Sequence, residues 1–335
     1  MPSSSFTVAV VQHPPVFMNL NASIDRAIVH IKEAAEKGAE LIVFPETWLP
    51  GYPVWLDYAP SAGIWDHPPA KAIFKALFNN SPETDSPEIS RLQKTVQELN
   101  ISLVMGMNER DKGTLYNTML FLSPDLKKPV IHRKLMPTYT ERLVWGRGDG
   151  STLATIPSDF GPIGGLVCWE HWMPLARAAM HGKQETIHIA QWPMVKEMHQ
   201  VASRHYAFEG QCFVIAAGCV LSLADMYDGL KSISADPLAF ELLDGITDPP
   251  ETLLLRGGSA IIAPNGDYLV DPVYDKPTTL VAELKQDLLV EGRLFLDTDG
   301  HYSRPDVFEL RINDKPQQRL SFRSDADGAG EKDNA

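Results

Sequence analysis

The chain has 335 residues, 44% of them hydrophobic, which is enough for a large buried core in one domain or two. Thirty basic against 43 acidic residues give a formal net charge of −13, and that balance excludes phosphate backbones and anionic membrane surfaces as natural partners. The start, MPSSSFTVAVVQ, carries no basic segment or long apolar run, and the longest apolar-looking stretch, 213–224, is too short to cross a bilayer.

Along the chain, FTVAVVQ (6–12) reads as a buried strand, followed by a helix over 21–37 whose apolar residues Ile24, Ala27, Ile28, Ile31, Ala34 and Ala35 share one face. Gly38 ends it, and LIVF (41–44) returns to strand. A second helix begins at Ser86 as N-cap with Pro87 in its first turn. Strands are expected from 101, over 116–122 and 130–133, and at 164–168, the last running into a helix that stops before Gly182. Later strands are expected at 186–190, 212–217, 259–263 and 279–284, with a helix near 196–210. Strand, helix and strand in that order argue for an α/β fold. Segments 50–70 and 222–255 read as loop insertions, and the polar tail over 311–335 reads as disordered. Residues 1–310 are therefore expected to form a single domain.

Three residues stand out because each closes an apolar strand: Glu46 after LIVFPE, Lys134 after VIHRK and Cys168 after GGLVCWE. The carboxyl edge of an open α/β sheet is where ligands bind. A carboxylate, an ammonium and a thiol delivered there make coherent chemistry: the carboxylate takes the thiol proton, the thiolate attacks an electrophilic carbon, and the ammonium stabilises the charge that develops. The ammonium and the following helix N-terminus are expected to lower the thiol pKa. Each residue also has an ordinary alternative, as a core cysteine, a capping or surface glutamate and a surface lysine. The chain has three cysteines and no C-x-x-C pair, which describes neither a disulfide framework nor a zinc site. Cys212 and Cys219 read as packing residues, and a reducing, cytoplasmic setting is expected.

With FPET, HRKLMPT and GLVCWEH in order, and with GAELIVFPE, YNTMLF, ERLVWGRGDG and HYSRPD around them, the chain resembles the nitrilase superfamily of carbon–nitrogen hydrolases over about residues 6–310. The resemblance implies a four-layer αββα sandwich, two sheets face to face with helices outside. It implies Glu46 as general base, Cys168 as nucleophile and Lys134 as stabiliser, with Glu141 of TYTER as a second glutamate orienting the site, against the alternative of a surface carboxylate paired with Arg142. Cys-Trp-Glu-His at 168–171 looks like the true nitrilase branch, although many members carry Asn where His171 stands. The implied reaction turns an organic nitrile into its carboxylic acid and ammonia, with no metal or organic cofactor. A cyanide-degrading enzyme, an aliphatic amidase of the same superfamily and a non-catalytic scaffold are the alternatives.

Aromatic residues gather near the motifs, and an apolar pocket walled by them suits an aromatic or arylaliphatic nitrile. Tyr52, Trp145, Trp169, Trp172 and Trp192 are the candidate substrate-binding residues, with core filling as the alternative role. His171 and His188 have a ligand role as one reading, but lone histidines are more often satisfied core or surface groups and no metal spacing links these two. The family resemblance further implies a homo-oligomer, a dimer or larger assemblies that include spirals.

Overall fold

The computed structural model describes residues 4–317. Its elements in order are β1 (Ser5–Gln12), α1 (Leu20–Glu36), β2 (Leu41–Val43), α2 (Trp55–Tyr58), α3 (Pro68–Asn79), α4 (Pro87–Leu99), β3 (Ser102–Asp111), β4 (Thr114–Leu122), β5 (Val130–Arg133) and β6 (Ile163–Val167). There follow α5 (Pro174–His181), β7 (Ile187–Gln191), α6 (Glu197–Gly210), β8 (Phe213–Ala217), β9 (Val220–Ser222), α7 (Leu223–Ser232), α8 (Pro237–Asp244), β10 (Leu253–Ile262), β11 (Tyr268–Tyr274), β12 (Thr278–Lys285) and α9 (Asp287–Gly292).

The strands form two six-stranded sheets, one ordered β12-β1-β2-β3-β4-β5 and the other β11-β10-β8-β7-β6, with β9 beside β10. In the first, β1, β2 and β3 are parallel, and two antiparallel steps through β4 return β5 to their direction. In the second, β6, β7 and β8 are parallel. Alternation along the strands explains the layering. Val8, Val10, Leu41, Val43, Val104, Met119 and Phe121 share one hydrophobic cluster with Ile163, Ile187, Ile189 and Phe213 of the other sheet. Their neighbours Ala9, Val11, Ile42, Leu103 and Leu120 pack instead with Ile24, Ile31, Ile89 and Leu92 of α1 and α4. Strands buried on both faces read as continuous apolar runs, which is why 6–12 and 41–44 looked fully buried in sequence. The molecule is an α/β four-layer sandwich.

Local signals set the helix ends. Asn19 accepts from Ala22 N (3.1 Å) at the start of α1, and Ser86 accepts from Ile89 N (3.4 Å) at the start of α4. At Gly165 a side chain would crowd both its own sheet and the facing one. A Cβ on Gly165 of β6 would stand 2.7 Å from Met119 Sδ of β4.

The loop reading of 222–255 is overturned, because the segment holds β9, α7, α8 and the start of β10. Ser222 and Asp225 cap α7 reciprocally, with Ser222 N donating to Asp225 Oδ2 (2.9 Å) and Asp225 N to Ser222 Oγ (3.1 Å). Asp236 accepts from Leu238 N (3.0 Å) at the start of α8. Segment 50–70 likewise contains α2 and the first turn of α3, and β11 was not anticipated. Of the polar tail, 318–335 lie outside the described residues; 311–317 run exposed without regular structure, with Gln317 N donating to Asp149 (2.8 Å). Among the described residues no helix is long and apolar enough to cross a membrane.

Candidate active site

Glu46 lies three residues beyond β2, Lys134 directly follows β5 and Cys168 directly follows β6. All three therefore sit at carboxyl ends of strands, two in one sheet and one in the other. The Glu46 loop rests on β3 at Gly106, where a Cβ would stand 2.0 Å from Pro45 O and 2.5 Å from Thr47 N. The edges of the two sheets are stitched beside it, as Gln191 Nε2 donates to Phe44 O (2.8 Å) and Glu46 N to Trp192 O (3.4 Å).

Lys134 is buried, and its Nζ donates to Glu46 Oε1 (2.9 Å) and Glu141 Oε2 (2.7 Å). Glu141 lies in a single 3-10 turn, Tyr139–Leu143, and is itself buried. It also accepts from Thr138 N (2.6 Å) and from the Tyr52 hydroxyl (3.0 Å). This excludes the surface pairing with Arg142 as its role. Asn117 Nδ2 donates to Glu46 Oε1 (2.6 Å), while Glu46 Oε2 accepts no hydrogen bond from the described residues. A carboxylate oxygen of Glu46, one of Glu141 and the Cys168 sulfur all lie within 4.8 Å of one another. The donor types would suit a cation, but the Lys134 ammonium already bonds both carboxylates.

Burial pushes the Glu46 carboxyl up, the Lys134 ammonium pulls it down and Glu141 pushes it up again, leaving it at about 7. Burial opposes the charge on Lys134, yet Cys168, Glu46 and Glu141 hold it well above its ordinary value. Burial, reinforced by Glu46, pushes the Cys168 thiol well up despite Lys134. This reverses the expected lowering. The thiol is followed by a 3-10 turn, Cys168–Trp172, rather than by a regular helix, and it faces two carboxylates as well as one ammonium. A resting thiol beside a carboxyl that titrates near 7 sets a proton donor next to an acceptor, with the thiol the weaker acid of the two. Cys168 has φ +54°, the left-handed region, which for a non-glycine residue costs on the order of 1–3 kcal/mol.

The turn is held from behind. Cys168 O can only accept, so His171 Nδ1 donates to it (2.7 Å). Burial, reinforced by His188, lowers the His171 pKa to about 3, and burial lowers that of His188 well below normal. With both rings neutral, His188 Nε2 donates to His171 Nε2 (3.0 Å), and the Glu185 carboxyl, pushed up to about 8 by burial, donates to His188 Nδ1 (3.1 Å). Tyr206 donates to the other Glu185 oxygen (2.7 Å). The two histidines are satisfied core groups that meet each other.

Cys168 and Glu141 lie on the wall of a cavity of about 1030 Å³. Tyr52, Trp169 and Trp172 line it with Tyr58 and Tyr139. Trp169 and Trp172 meet edge to face, 5.2 Å between centroids. Trp145 and Trp192, also expected to touch substrate, do not line it. Trp145 donates to Asn108 Oδ1 (2.9 Å) and backs Tyr52 at 5.8 Å. Trp192 is fully buried, stacked between His171 (4.7 Å) and His199 (4.3 Å). Their indoles complete the supporting layer, a distinction that proximity to a motif does not carry. The sequence reading gave no role to Asn117, although it stands in the YNTMLF motif, or to Met136, Pro137, Pro193 and Met194 on the cavity wall.

A family model described as carbon-nitrogen hydrolase matches residues 7–293, so the chain belongs to the carbon–nitrogen hydrolase family. It is 36% identical to an aliphatic nitrilase of Sinorhizobium fredii over 96% of this chain and all of that one. It is 34% identical to nitrilase 3 of Arabidopsis thaliana over 99% of this chain and 94% of the relative. These likenesses place it in the nitrilase branch, as an enzyme acting on carbon–nitrogen bonds other than peptide bonds. In fold it is similar to a CN-hydrolase superfamily protein of Xanthomonas campestris with an arsenic adduct in its active site (TM-score 0.66, 15% identity, covering 93% of this chain and 100% of that one). A nitrilase-superfamily member of branch 10 from Saccharomyces cerevisiae gives 0.64 at 16% identity, covering 90% and 97%.

Proposed function

We propose that the enzyme hydrolyses an aromatic or arylaliphatic nitrile to the carboxylic acid and ammonia, with Cys168 as nucleophile, Glu46 as general base, Lys134 as charge stabiliser and Glu141 holding Lys134. The observation that carries this reading is the Lys134 ammonium bonded to both buried carboxylates, with the Cys168 sulfur within 4.8 Å of each.

Glu46 takes the thiol proton as the sulfur attacks the nitrile carbon. The negative charge moves to nitrogen, facing the Lys134 ammonium, and the proton returns from Glu46 to give a neutral thioimidate. A water deprotonated by Glu46 adds to the same carbon, the nitrogen is protonated and leaves as ammonia, and a thioester remains. A second water, activated in the same way, releases the acid and restores the thiol. The sum is one nitrile and two waters giving one carboxylic acid and one ammonia. Ejection of sulfur instead of ammonia from the tetrahedral species would yield the amide.

The aromatic preference rests on the rings that line the cavity, Tyr52, Trp169 and Trp172 foremost. Two relatives are named aliphatic nitrilases, so the test includes aliphatic substrates. Residues 1–310 act as one domain in this reading. A homo-oligomer is supported by exposed apolar residues on α5 and α6, Leu175, Met198, Val201 and Phe208. Three free, buried cysteines suit a cytoplasmic setting.

The deciding experiment measures ammonia release by wild type and Cys168→Ala on phenylacetonitrile, mandelonitrile, an aliphatic dinitrile, cyanide and the corresponding amides. Acid and ammonia from an arylaliphatic nitrile, absent in the variant, support the proposal. Preference for the dinitrile overturns the aromatic assignment, and turnover of cyanide or amides alone overturns the substrate class.

A further inference from the structure

Glu170 is buried, at 1% exposure, and the reaction above gives it no part. Its carboxylate nevertheless receives three donors: Val167 N to Oε2 (2.6 Å), Leu135 N to Oε1 (2.8 Å) and His132 Nε2 to Oε2 (2.9 Å). Val167 directly precedes Cys168, Leu135 directly follows Lys134, and His132 stands two residues before Lys134. One side chain thus grips the backbone next to the thiol and next to the ammonium, although β6 and β5 belong to different sheets.

The protonation states follow from the partners. His132 Nδ1 faces Thr152 O at 3.1 Å, a group that can only accept. With a carboxylate at Nε2, both ring nitrogens face acceptors, so the ring carries both protons. Burial opposes that charge, but Glu170, and secondarily Thr152 O and Glu185, raise the His132 pKa above its ordinary value. Burial likewise opposes the Glu170 charge, yet His132 and the Leu135 and Val167 amides hold its carboxyl below the usual range. The result is a buried ion pair in which the anion is fully used as an acceptor. A neutral amide at position 170 would bring N–H against one of these donors, and an apolar residue would leave all three buried and unmet.

We propose that the Glu170 carboxylate, paired with the His132 imidazolium, is a positioning clamp that sets the spacing of the Cys168 thiol from the Lys134 ammonium and through it the speed of thiolate attack. Glu170 does not line the substrate cavity, so its effect falls on the chemical step rather than on binding. The inference rests on the reading of Cys168 as nucleophile but not on the identity of the nitrile.

The test compares wild type, Glu170→Gln and His132→Gln, with Cys168→Ala as the blank for the other two thiols. Two quantities are read well below the unfolding midpoint of each protein: the bimolecular rate of Cys168 alkylation by iodoacetamide, and kcat and KM on whichever substrate the wild type turns over. Displacements of an ångström at a reacting pair cost up to about 100-fold. Glu170→Gln is expected to slow alkylation and kcat together by roughly 10- to 100-fold with KM within threefold. His132→Gln, which keeps a donor to Glu170 without its charge, is expected to show a smaller loss of the same kind. Alkylation and kcat within twofold of wild type in Glu170→Gln would overturn the clamp, as would a loss carried by KM. Should Glu170→Gln not fold, unchanged alkylation in His132→Gln overturns it equally. Alkylation needs no nitrile, so failure of the substrate assignment leaves this readout intact.

Discussion

Replacing Glu141 by Gln isolates one charge beside Glu46 and Lys134 without removing its volume. The amide oxygen can still accept from Lys134 and Thr138 N, and its nitrogen can donate to the Tyr52 oxygen. What disappears is a negative charge within 4.8 Å of Glu46. Two unit charges that far apart repel by about 3.5 kcal/mol at an effective dielectric near 20, equivalent to roughly 2.5 pH units on the Glu46 carboxyl. The intervening ammonium moderates this, but with Glu141 neutral the ammonium belongs to Glu46 alone, which acts in the same direction. On the proposed mechanism Glu46 works as a base only when ionised, so activity is expected to fall as pH drops through its value of about 7. The variant's acidic limb in kcat/KM should therefore move down by about one pH unit or more, while the plateau falls through looser placement of Lys134. A pH profile of ammonia release, with alkylation of Cys168 over the same range, checks both. A limb that stays in place or moves up would refute the electrostatic account of Glu46.

Gly106→Ala drives a Cβ into the backbone of the Glu46 loop. It should cost about 1–3 kcal/mol of stability and lower kcat by roughly 100-fold, whereas Gly113→Ala, whose Cβ meets nothing, should do neither; thermal melts and rates separate them. Glu185 has a folded pKa raised from 4.5 to about 8, so the folded chain keeps a proton that the unfolded chain releases. Its stabilising contribution is complete below about 4.5 and is lost as pH rises to 8. Glu185→Gln keeps the bonds to His188 and Tyr206, so its denaturant-unfolding free energy should fall less between pH 5 and 8 than that of wild type. Parallel curves would contradict the protonated carboxyl. Trp172→Ala should raise KM for phenylacetonitrile by about tenfold, matching 1–2 kcal/mol of lost ring contact, with a smaller change for a short aliphatic nitrile; equal changes would place the ring outside the binding surface.

The parts of the fold legible in sequence are those in which one periodicity dominates. The 3-and-4 spacing from Ile24 to Ala35 delivered α1 within a residue of its observed limits, and Ser86–Pro87 delivered the start of α4. Helices α7 and α8 escaped because the whole of 222–255 was read as a loop insertion, although Ser222 and Asp236 carried valid caps. The pairing of strands into two sheets rests on contacts distant in sequence, such as Val8 with Leu41 and Ala282, and only the family resemblance supplied it. At the site, Glu46, Lys134 and Cys168 were legible because each ends an apolar run. The sign of the thiol's shift was not, since it depends on burial and on two carboxylates that the fold brings near. Trp192 and Tyr52 carry the same kind of sequence signal, yet one backs the wall and the other forms it.

The close approach of Gly165 to Met119 carries a consequence for the chemistry at Cys168, three residues further along. The carboxylates and the ammonium come from one sheet and the thiol from the other, so the thickness of the apolar layer between the sheets is a gauge for the reacting atoms. A methyl group added at Gly165 would press on Ile189 O and on Met119 Sδ, each at 2.7 Å, and would act as a shim that moves the Cys168 thiol relative to the Lys134 ammonium without touching either. On the proposed mechanism the hydrocarbon interior is part of the catalytic geometry, and a variant that keeps every polar residue in place would still lose rate through the width of its core.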